Sequence, residues 1–192
     1  MNKAIFLDRD GTINEEVNYL INTEDIRIIP NTVNALRNFK NSGYLNIVIT
    51  NQSGIARGFL TEEDLDKIHT CIRKILRENG NELIDDIFYS PYLSDGIIEK
   101  YKKESPDRKP GTGLILKAAA KFNIDLQESY FIGDSYTDMK CAENAGLRRV
   151  LVKTGYGEDT YKKCKEEKIF IDYIAENLFE ASEIISKKFI KQ

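Results

Sequence analysis

Short apolar runs alternate with longer amphipathic segments along the chain. Five runs, at residues 3–7, 45–50, 87–90, 130–133 and 149–152, are typical of buried strands. Helical patterns occupy residues 32–41, 62–79, 113–122, 136–144 and roughly 172–188. This alternation predicts parallel strands joined by right-handed crossovers, with helices on both faces of the sheet.

Composition narrows the class of protein. The 192 residues suffice for one domain with a sizeable core, which we expect to span residues 1–192. A formal net charge of -3 gives no broad basic field for nucleic acid, and no apolar run is long enough to predict a membrane span. No secretory leader is visible, and three scattered cysteines suit free thiols, so we expect a cytoplasmic protein. No coiled-coil heptad demands an oligomer, and we expect a monomer.

The only histidine, His69, excludes a metal site built from several histidines. We interpret it as a partly solvated helix residue.

Two acidic side chains follow the first predicted strand, in the run Asp8-Arg9-Asp10-Gly11-Thr12. A spacing of two lets both side chains leave an extended strand on the same side. Close carboxylates repel each other unless a proton or a cation lies between them. The pair therefore indicates either a metal site or a raised pKa, and both are features of active sites.

Polar residues also follow the later strands. The run Thr50-Asn51-Gln52-Ser53-Gly54 supplies hydroxyls and amides suited to phosphate oxygens. Arg108 and Lys109 can neutralise anionic groups. Asp134 and Asp138 add carboxylates, and an oxygen-only ligand set favours Mg²⁺. Because ligands bind beyond the carboxyl ends of parallel strands, we expect these side chains to meet in one crevice.

Each motif also has a purely structural explanation. Asp10-Gly11 is a common turn, and Thr50-Asn51 can simply end a strand. Arg108-Lys109 is typical of a solvated surface pair, and Asp134 and Asp138 can cap a following helix. The conjunction favours function, because all four structural explanations would have to hold at successive strand ends.

The ordered set Asp-x-Asp-Gly-Thr, Thr-Asn, Lys-Pro and Gly-Asp-x-x-x-Asp, which runs from Asp8 to Asp138, resembles the haloacid dehalogenase (HAD) superfamily of phosphohydrolases. Two longer runs, Asp-Arg-Asp-Gly-Thr-Ile-Asn and Thr-Asn-Gln-Ser-Gly-Ile-Ala-Arg-Gly, resemble the branch of heptose-bisphosphate and histidinol-phosphate phosphatases. Asn18-Tyr19-Leu20, Glu24-Asp25 and Pro30 are more similar to the heptose enzymes. The resemblance implies an α/β, three-layer Rossmann-like HAD fold with a mostly parallel sheet. The short stretch between Asp8 and Thr50 predicts that no separate cap domain covers the site.

The resemblance also implies a Mg²⁺-dependent phosphatase acting on a small phosphorylated sugar. Its implied catalytic residues are Asp8 as the nucleophile, Asp10 as the acid and base, and Thr50 and Lys109 as ligands of the phosphoryl oxygens. Its implied metal ligands are the Asp8 carboxylate, the Asp10 carbonyl and Asp134, with Asp138 supporting the site from behind. Its implied substrate-binding residues are Glu16, Val17, Asn18, Tyr19, Asn51, Gln52, Ser53, Arg108 and Ser135.

The loop from Ser90 to Arg108 differs from the pattern of this branch. Many enzymes of the branch hold a structural zinc ion with Cys-x-His and Cys-x-Cys pairs, where this chain has Ser90, Tyr92, Ser105 and Asp107. Serine and tyrosine are poor zinc ligands, so we expect no zinc. We predict instead that the loop is ordered by packing of its apolar side chains, which are Tyr92, Leu93, Ile97, Ile98 and Tyr101.

The leading hypothesis is removal of the 7-phosphate from D-glycero-D-manno-heptose 1,7-bisphosphate, with Arg108 holding the 1-phosphate. Hydrolysis of histidinol phosphate is the alternative within the branch. A non-catalytic binding module on the same fold is a further alternative, because fold does not fix function.

Overall fold

The computed structural model describes residues 1–77 and 80–187 and has one parallel sheet at its centre. In the described residues the strands are β1 (Lys3–Leu7), β2 (Tyr44–Asn51), β3 (Asp86–Ser90), β4 (Tyr130–Gly133), β5 (Arg148–Val152) and β6 (Tyr173–Ala175). Their spatial order is β3-β2-β1-β4-β5-β6, and every neighbouring pair is parallel. The α-helices are α1 (Thr32–Asn41), α2 (Glu62–Ile75), α3 (Gly113–Phe122), α4 (Tyr136–Ala145), α5 (Gly157–Glu166) and α6 (Leu178–Lys187).

Helices cover both faces of the sheet, as β1 illustrates. Ile5 and Leu7 belong to a core cluster that includes side chains of α1, α2 and α6. Ala4 and Phe6 belong to a second cluster with side chains of α3 and α4. Successive side chains of a strand point to opposite faces, and burial on both faces explains why the strands are continuous apolar runs. The predicted three-layer α/β architecture is confirmed.

The chain between β1 and β2 contains, as regular structure, only β-bridges, a 3-10 turn and α1. The expected lack of a cap domain in this segment agrees with the structure. Within residues 1–77 and 80–187, no helix has the length and apolar character needed to cross a membrane.

The predicted elements from β1 to β5 are present with small shifts of their ends, but three predictions need correction. Helix α2 ends at Ile75 rather than at 79, and residues 78–79 lie outside the described residues. The sequence prediction missed α5, whose buried residues Gly157, Thr160 and Cys164 form no continuous apolar stripe. The predicted helix at 172–188 begins only at Leu178, and Tyr173–Ala175 before it forms β6. Residue 188 lies outside the described residues.

Side-chain caps fix where two site-forming helices begin. The Thr61 side chain accepts a hydrogen bond from the Asp64 amide, and the Asp64 side chain accepts from the Thr61 amide, which starts α2 as predicted. Ser135 and Asp138 make the same reciprocal pair at the start of α4. The capping explanation for Asp138 is therefore correct, and it places this carboxylate directly beyond the end of β4.

Candidate active site

Three carboxylates meet at the carboxyl edge of the sheet. Asp8 follows β1, Asp134 follows β4 and Asp138 lies in the first turn of α4. One oxygen from each lies within 4.8 Å of the other two. Because β1 and β4 are adjacent and parallel, with Leu7 paired to Ile132, their ends deliver Asp8 and Asp134 side by side. The expected convergence of separate strand ends is present.

Lys109 is the cation at the centre of this cluster. Its Nζ lies 2.7 Å from Asp8 Oδ1 and 2.6 Å from Asp138 Oδ1, and it donates a hydrogen bond to the Ile49 carbonyl. Burial alone would lower the pKa of Lys109, but the two carboxylates raise it above its ordinary value. Lys109 therefore stays charged although it is almost wholly buried.

Asn51 holds the backbone of Lys109. Its Oδ1 accepts a 2.9 Å hydrogen bond from the Lys109 amide, and its Nδ2 donates to the Lys109 carbonyl. The structure thus gives Asn51, which the family resemblance assigns to substrate binding, a second task in placing the lysine.

One lysine cannot balance three buried carboxylates. Burial, followed by repulsion from Asp138, raises the pKa of Asp8. Burial, followed by repulsion from Asp8, raises the pKa of Asp134. A donor set of oxygens with excess negative charge fits Mg²⁺.

The three carboxylates are not equivalent as ligands. Asp138 is already engaged, because its Oδ2 accepts hydrogen bonds from the Ser135 amide and hydroxyl while its Oδ1 pairs with Lys109. The arrangement favours Asp8 and Asp134 as direct ligands, and Asp138 as their support through Lys109.

The loop after β5 contacts Asp134, and the sequence did not predict that this loop belongs to the site. The Tyr156 amide donates a 2.8 Å hydrogen bond to Asp134 Oδ2, and the Thr154 hydroxyl donates to the Gly11 carbonyl. A Cβ atom on Gly155, which has a φ of +56°, would clash with the same Oδ2. The rule that ligands gather beyond strand ends could have pointed to this loop, since the fifth strand was predicted.

Asp10 lies in a dense set of donors. Arg9 binds both of its oxygens, Asn14 Nδ2 donates to Oδ1 at 2.9 Å, and Gln52 Nε2 donates to Oδ2 at 2.9 Å. Burial acts to raise the pKa of Asp10, but the Arg9 charge and these hydrogen bonds outweigh it and hold the pKa below its ordinary value. Gln52 also donates to Thr50 Oγ1 at 2.8 Å, so it orients two of the predicted catalytic side chains.

The interpretation of His69 as partly solvated is wrong. The side chain is buried, and its Nε2 lies 3.2 Å from Arg9 Nη1. Arg9 is buried as well, although an arginine between two acidic residues gave no sign of this in the sequence.

A cavity of about 370 Å³ opens above these groups. Predicted site residues that line it are Asp8, Asp10, Glu16, Asn18, Tyr19, Thr50, Asn51, Gln52, Ser53, Arg108, Lys109 and Ser135. Lining residues that the sequence did not single out for the site include Leu20, Gly54, Leu60, Thr137 and Tyr156. Val17 is not among the lining residues and is exposed, whereas Asp134 and Asp138 are buried and also absent from the lining.

The loop between β3 and α3 is only partly ordered as predicted. Leu93 is buried, and the rings of Tyr92 and Tyr101 contact each other. Ile97 and Ile98 are exposed, however, so their predicted packing role is wrong. Their backbone amides instead donate hydrogen bonds to the Ala56 carbonyl, which joins this loop to the one after β2.

At the positions that correspond to zinc ligands in the branch, Asp107 pairs with Lys117, and the Ser105 hydroxyl accepts a hydrogen bond from the Asp107 amide. The absence of zinc stays a prediction for metal analysis.

A second cluster of charged groups lies at the start of α2. The Glu62 carboxylate accepts hydrogen bonds from the hydroxyls of Tyr89 and Tyr101 and from Lys100 Nζ. The hydrogen bonds from Tyr101, Tyr89 and Lys100 lower the pKa of Glu62 to about 2. This cluster ties the β3–α3 loop to α2.

Comparison with known proteins identifies several similar chains. A family model described as HAD-hydrolase-like matches residues 107–181. A D-glycero-D-manno-heptose-1,7-bisphosphate 7-phosphatase of Thermosynechococcus vestitus is 35% identical over 95% of this chain and 94% of its own length. The D-glycero-alpha-D-manno-heptose-1,7-bisphosphate 7-phosphatase of Photorhabdus laumondii is 41% identical over 80% of this chain and 84% of its own.

A solved structure also matches nearly the whole chain. The D,D-heptose 1,7-bisphosphate phosphatase from B. bronchiseptica, complexed with magnesium and phosphate, superposes with a TM-score of 0.85 at 27% identity. The match covers 97% of this chain and 99% of the other.

Proposed function

This chain belongs to the D-glycero-D-manno-heptose-1,7-bisphosphate 7-phosphatase family of HAD-like hydrolases, and on that premise we propose that it removes the 7-phosphate of D-glycero-D-manno-heptose 1,7-bisphosphate. It is a phosphoric monoester hydrolase. The observation that carries the proposal is the cluster of Asp8, Asp134 and Asp138, with Lys109 paired to Asp8 and Asp138, beside a cavity large enough for a small molecule.

We propose that Asp8 attacks the phosphorus atom. Its carboxylate oxygen forms a bond to phosphorus while the ester bond to the sugar oxygen breaks, and the sugar oxygen takes a proton from Asp10. A water molecule then gives its proton to Asp10 and attacks the same phosphorus, which releases inorganic phosphate and restores Asp8. Thr50 and Lys109, both lining the cavity, hold the phosphoryl oxygens through these steps.

The low pKa of Asp10 in the free protein is compatible with this role. Arg9 favours the ionised form while the cavity holds no substrate. A phosphate dianion entering beside Asp10 acts in the opposite direction, because a neighbouring negative charge raises the pKa of a carboxyl group.

The residues present fit a Mg²⁺ ion. Asp8 and Asp134 would hold it with their carboxylates and Asp10 with its backbone carbonyl, as the family resemblance implies. When bound, the ion supplies positive charge that offsets the repulsion between the anionic nucleophile and the anionic phosphate.

Arg108 is the candidate ligand for the phosphate that stays on the sugar. It lines the cavity, and its Nη1 donates to the Tyr92 carbonyl. Burial, followed by the positive charge of Arg57, lowers the pKa of Arg108. Two guanidinium groups in such proximity favour an anion between or beside them.

We further propose that the chain acts as a cytoplasmic monomer of one domain. The three cysteines are free in the structure, which suits a reducing compartment.

A phosphate-release panel with Mg²⁺ tests the substrate. It compares both anomers of the heptose bisphosphate with histidinol phosphate and fructose 1,6-bisphosphate, and we expect the highest kcat/KM for one of the heptose anomers. Higher kcat/KM for histidinol phosphate would overturn the proposed substrate while leaving the mechanism in place.

Asp8→Asn tests the mechanism, and we expect turnover to fall by at least about 10³-fold. An Asp8→Asn variant that kept turnover would exclude the aspartyl-phosphate route and leave the enzyme's nucleophile to be sought elsewhere.

A further inference from the structure

Arg9, the residue between the two acidic residues of the first motif, is a buried link between Asp10 and α2. Its Nε and Nη2 donate to the two Asp10 oxygens at distances from 2.8 to 3.2 Å. Nη2 also donates to Gln52 Oε1 at 3.1 Å. Nη1 points the other way and lies 3.2 Å from Nε2 of His69, on the buried face of α2.

The chemistry of this contact fixes the state of the histidine. A guanidinium group has only donors, so Nε2 of His69 must accept, and the ring proton must lie on Nδ1. Burial, followed by the Arg9 charge, lowers the pKa of His69 to about 3. His69 is therefore a neutral acceptor at any physiological pH.

A neutral acceptor suits this position better than a carboxylate. It satisfies a buried N–H group of Arg9, which would otherwise carry the cost of an unmade hydrogen bond. It also leaves the whole positive charge of Arg9 to act on Asp10, whereas a carboxylate would compete for it.

We propose that His69 is a positioning residue for catalysis, which acts through Arg9 to hold the Asp10 carboxylate in the orientation needed for proton transfer. The inference rests on the proposed role of Asp10 as acid and base. His69 itself is absent from the cavity lining and touches no reacting group.

Loss of the acceptor frees one edge of the guanidinium group. Arg9 then reorients, or a water molecule enters to accept from Nη1, and the hydrogen bonds from Nε and Nη2 to the Asp10 carboxylate weaken. Proton transfer depends steeply on such geometry, so the chemical steps slow while substrate binding is unaffected.

Three substitutions in the full-length protein separate this role from a merely structural one. His69→Gln places an amide oxygen near the position of Nε2, and His69→Asn carries the same amide on a side chain one methylene shorter. His69→Leu removes the acceptor while keeping similar bulk. The Gln and Asn variants are matched in polarity, so the comparison survives even if the Leu variant does not fold.

Comparing two classes of phosphate ester shows whether a variant has lost proton donation by Asp10. A sugar phosphate releases a poor leaving group that needs the proton of Asp10, whereas p-nitrophenyl phosphate releases an anion that leaves without one. With a sugar phosphate, we expect kcat to fall by about 10–100-fold in the Asn and Leu variants, KM to change less than about twofold, and the Gln variant to recover most of kcat. With p-nitrophenyl phosphate, we expect the Asn and Leu variants to release about one p-nitrophenolate per enzyme in a rapid burst, because the first step needs no proton from Asp10. Turnover then slows, because the later attack of water still needs Asp10 as base.

Equal kcat in the Gln and Asn variants would overturn the inference, as would unchanged kcat in all three. So would equal slowing of the first step for both classes of ester. The Asp8→Asn variant is assayed in parallel. Normal His69 variants beside an inactive Asp8→Asn would refute the role of His69 alone, whereas an active Asp8→Asn would refute the proposed mechanism and this inference with it.

Discussion

Two clusters combine carboxylates with lysine, and they differ in what surrounds them. Around Lys109, three aspartates lie buried, and burial with mutual repulsion raises the pKa of Asp8 and Asp134. Around Glu62, two tyrosine hydroxyls and an exposed lysine satisfy a single carboxylate, and the pKa falls to about 2. The first cluster has an excess of negative charge that a bound cation would neutralise. In the second, hydrogen bonds and one lysine already satisfy the carboxylate. The balance of charge and hydrogen bonds, rather than the residue types, separates a reactive centre from an anchor.

Removing the lysine from each cluster gives the largest expected contrast. Lys109→Met leaves buried carboxylates unpaired, so we expect a loss of about 3–5 kcal/mol in the free energy of unfolding. We also expect turnover to fall by about 10²–10³-fold, because the phosphoryl group loses a buried cation. Lys100→Met is the matched control, and because Lys100 is exposed we expect a change within about 0.5 kcal/mol. Denaturant unfolding and phosphate release measure both, and similar losses in the two variants would contradict the contrast.

A methyl group at Gly155 tests whether Asp134 must keep its position to bind the metal. Gly155→Ala places Cβ against Asp134 Oδ2, and we expect Mg²⁺ affinity to fall by about 10–100-fold. Gly43→Ala is the control, since Gly43 also has a positive φ but a Cβ there would meet only the Lys3 side chain at 3.7 Å. Both variants strain the left-handed backbone by about 1–2 kcal/mol, and Gly155→Ala adds a clash with Asp134 and the Gly11 backbone. The Mg²⁺ titration of activity is therefore compared at a temperature at which both variants are folded. Equal Mg²⁺ requirements would show that Asp134 does not depend on this contact.

The smallest expected effect is the pH dependence of stabilisation by Mg²⁺. The pKa values of Asp8 and Asp134 are raised in the folded state, to about 7 and about 8. Between pH about 4 and pH about 8 the folded protein therefore binds more protons than the unfolded chain. Without metal, the free energy of unfolding falls as the pH rises through this range. At pH 8, Mg²⁺ at about a hundred times its Kd adds roughly 2.7 kcal/mol, or about 5–10 °C in Tm. At pH 5.5 protons compete with the ion, and the shift should shrink. Thermal unfolding with Mg²⁺ and with EDTA measures it, and an equal shift at both values would contradict the raised pKa values.

The sequence predicted those parts of the molecule that depend on local pattern. The apolar runs located β1 to β5, and the acidic residues at their ends located Asp8 and Asp134. It could not predict α5, whose polar sequence is helical mainly because its few buried residues dock on the rest of the fold. It could not predict the contact between Arg9 and His69 either, because 59 residues separate them and only the packing of α2 brings them together.

The exposure of Ile97 and Ile98 has a consequence for how this enzyme can diversify. Two loops that contribute to the cavity wall are joined there by amides bonded to the Ala56 carbonyl, a connection that any side chain at 97 or 98 except proline can keep. Mutations at these two positions can therefore change the charge or bulk of the exposed part of this loop while its backbone bonds to Ala56 are kept. The outer surface of this loop can thus vary from one relative to another without moving the proton-transfer and metal-binding groups, which lie on other segments of the chain.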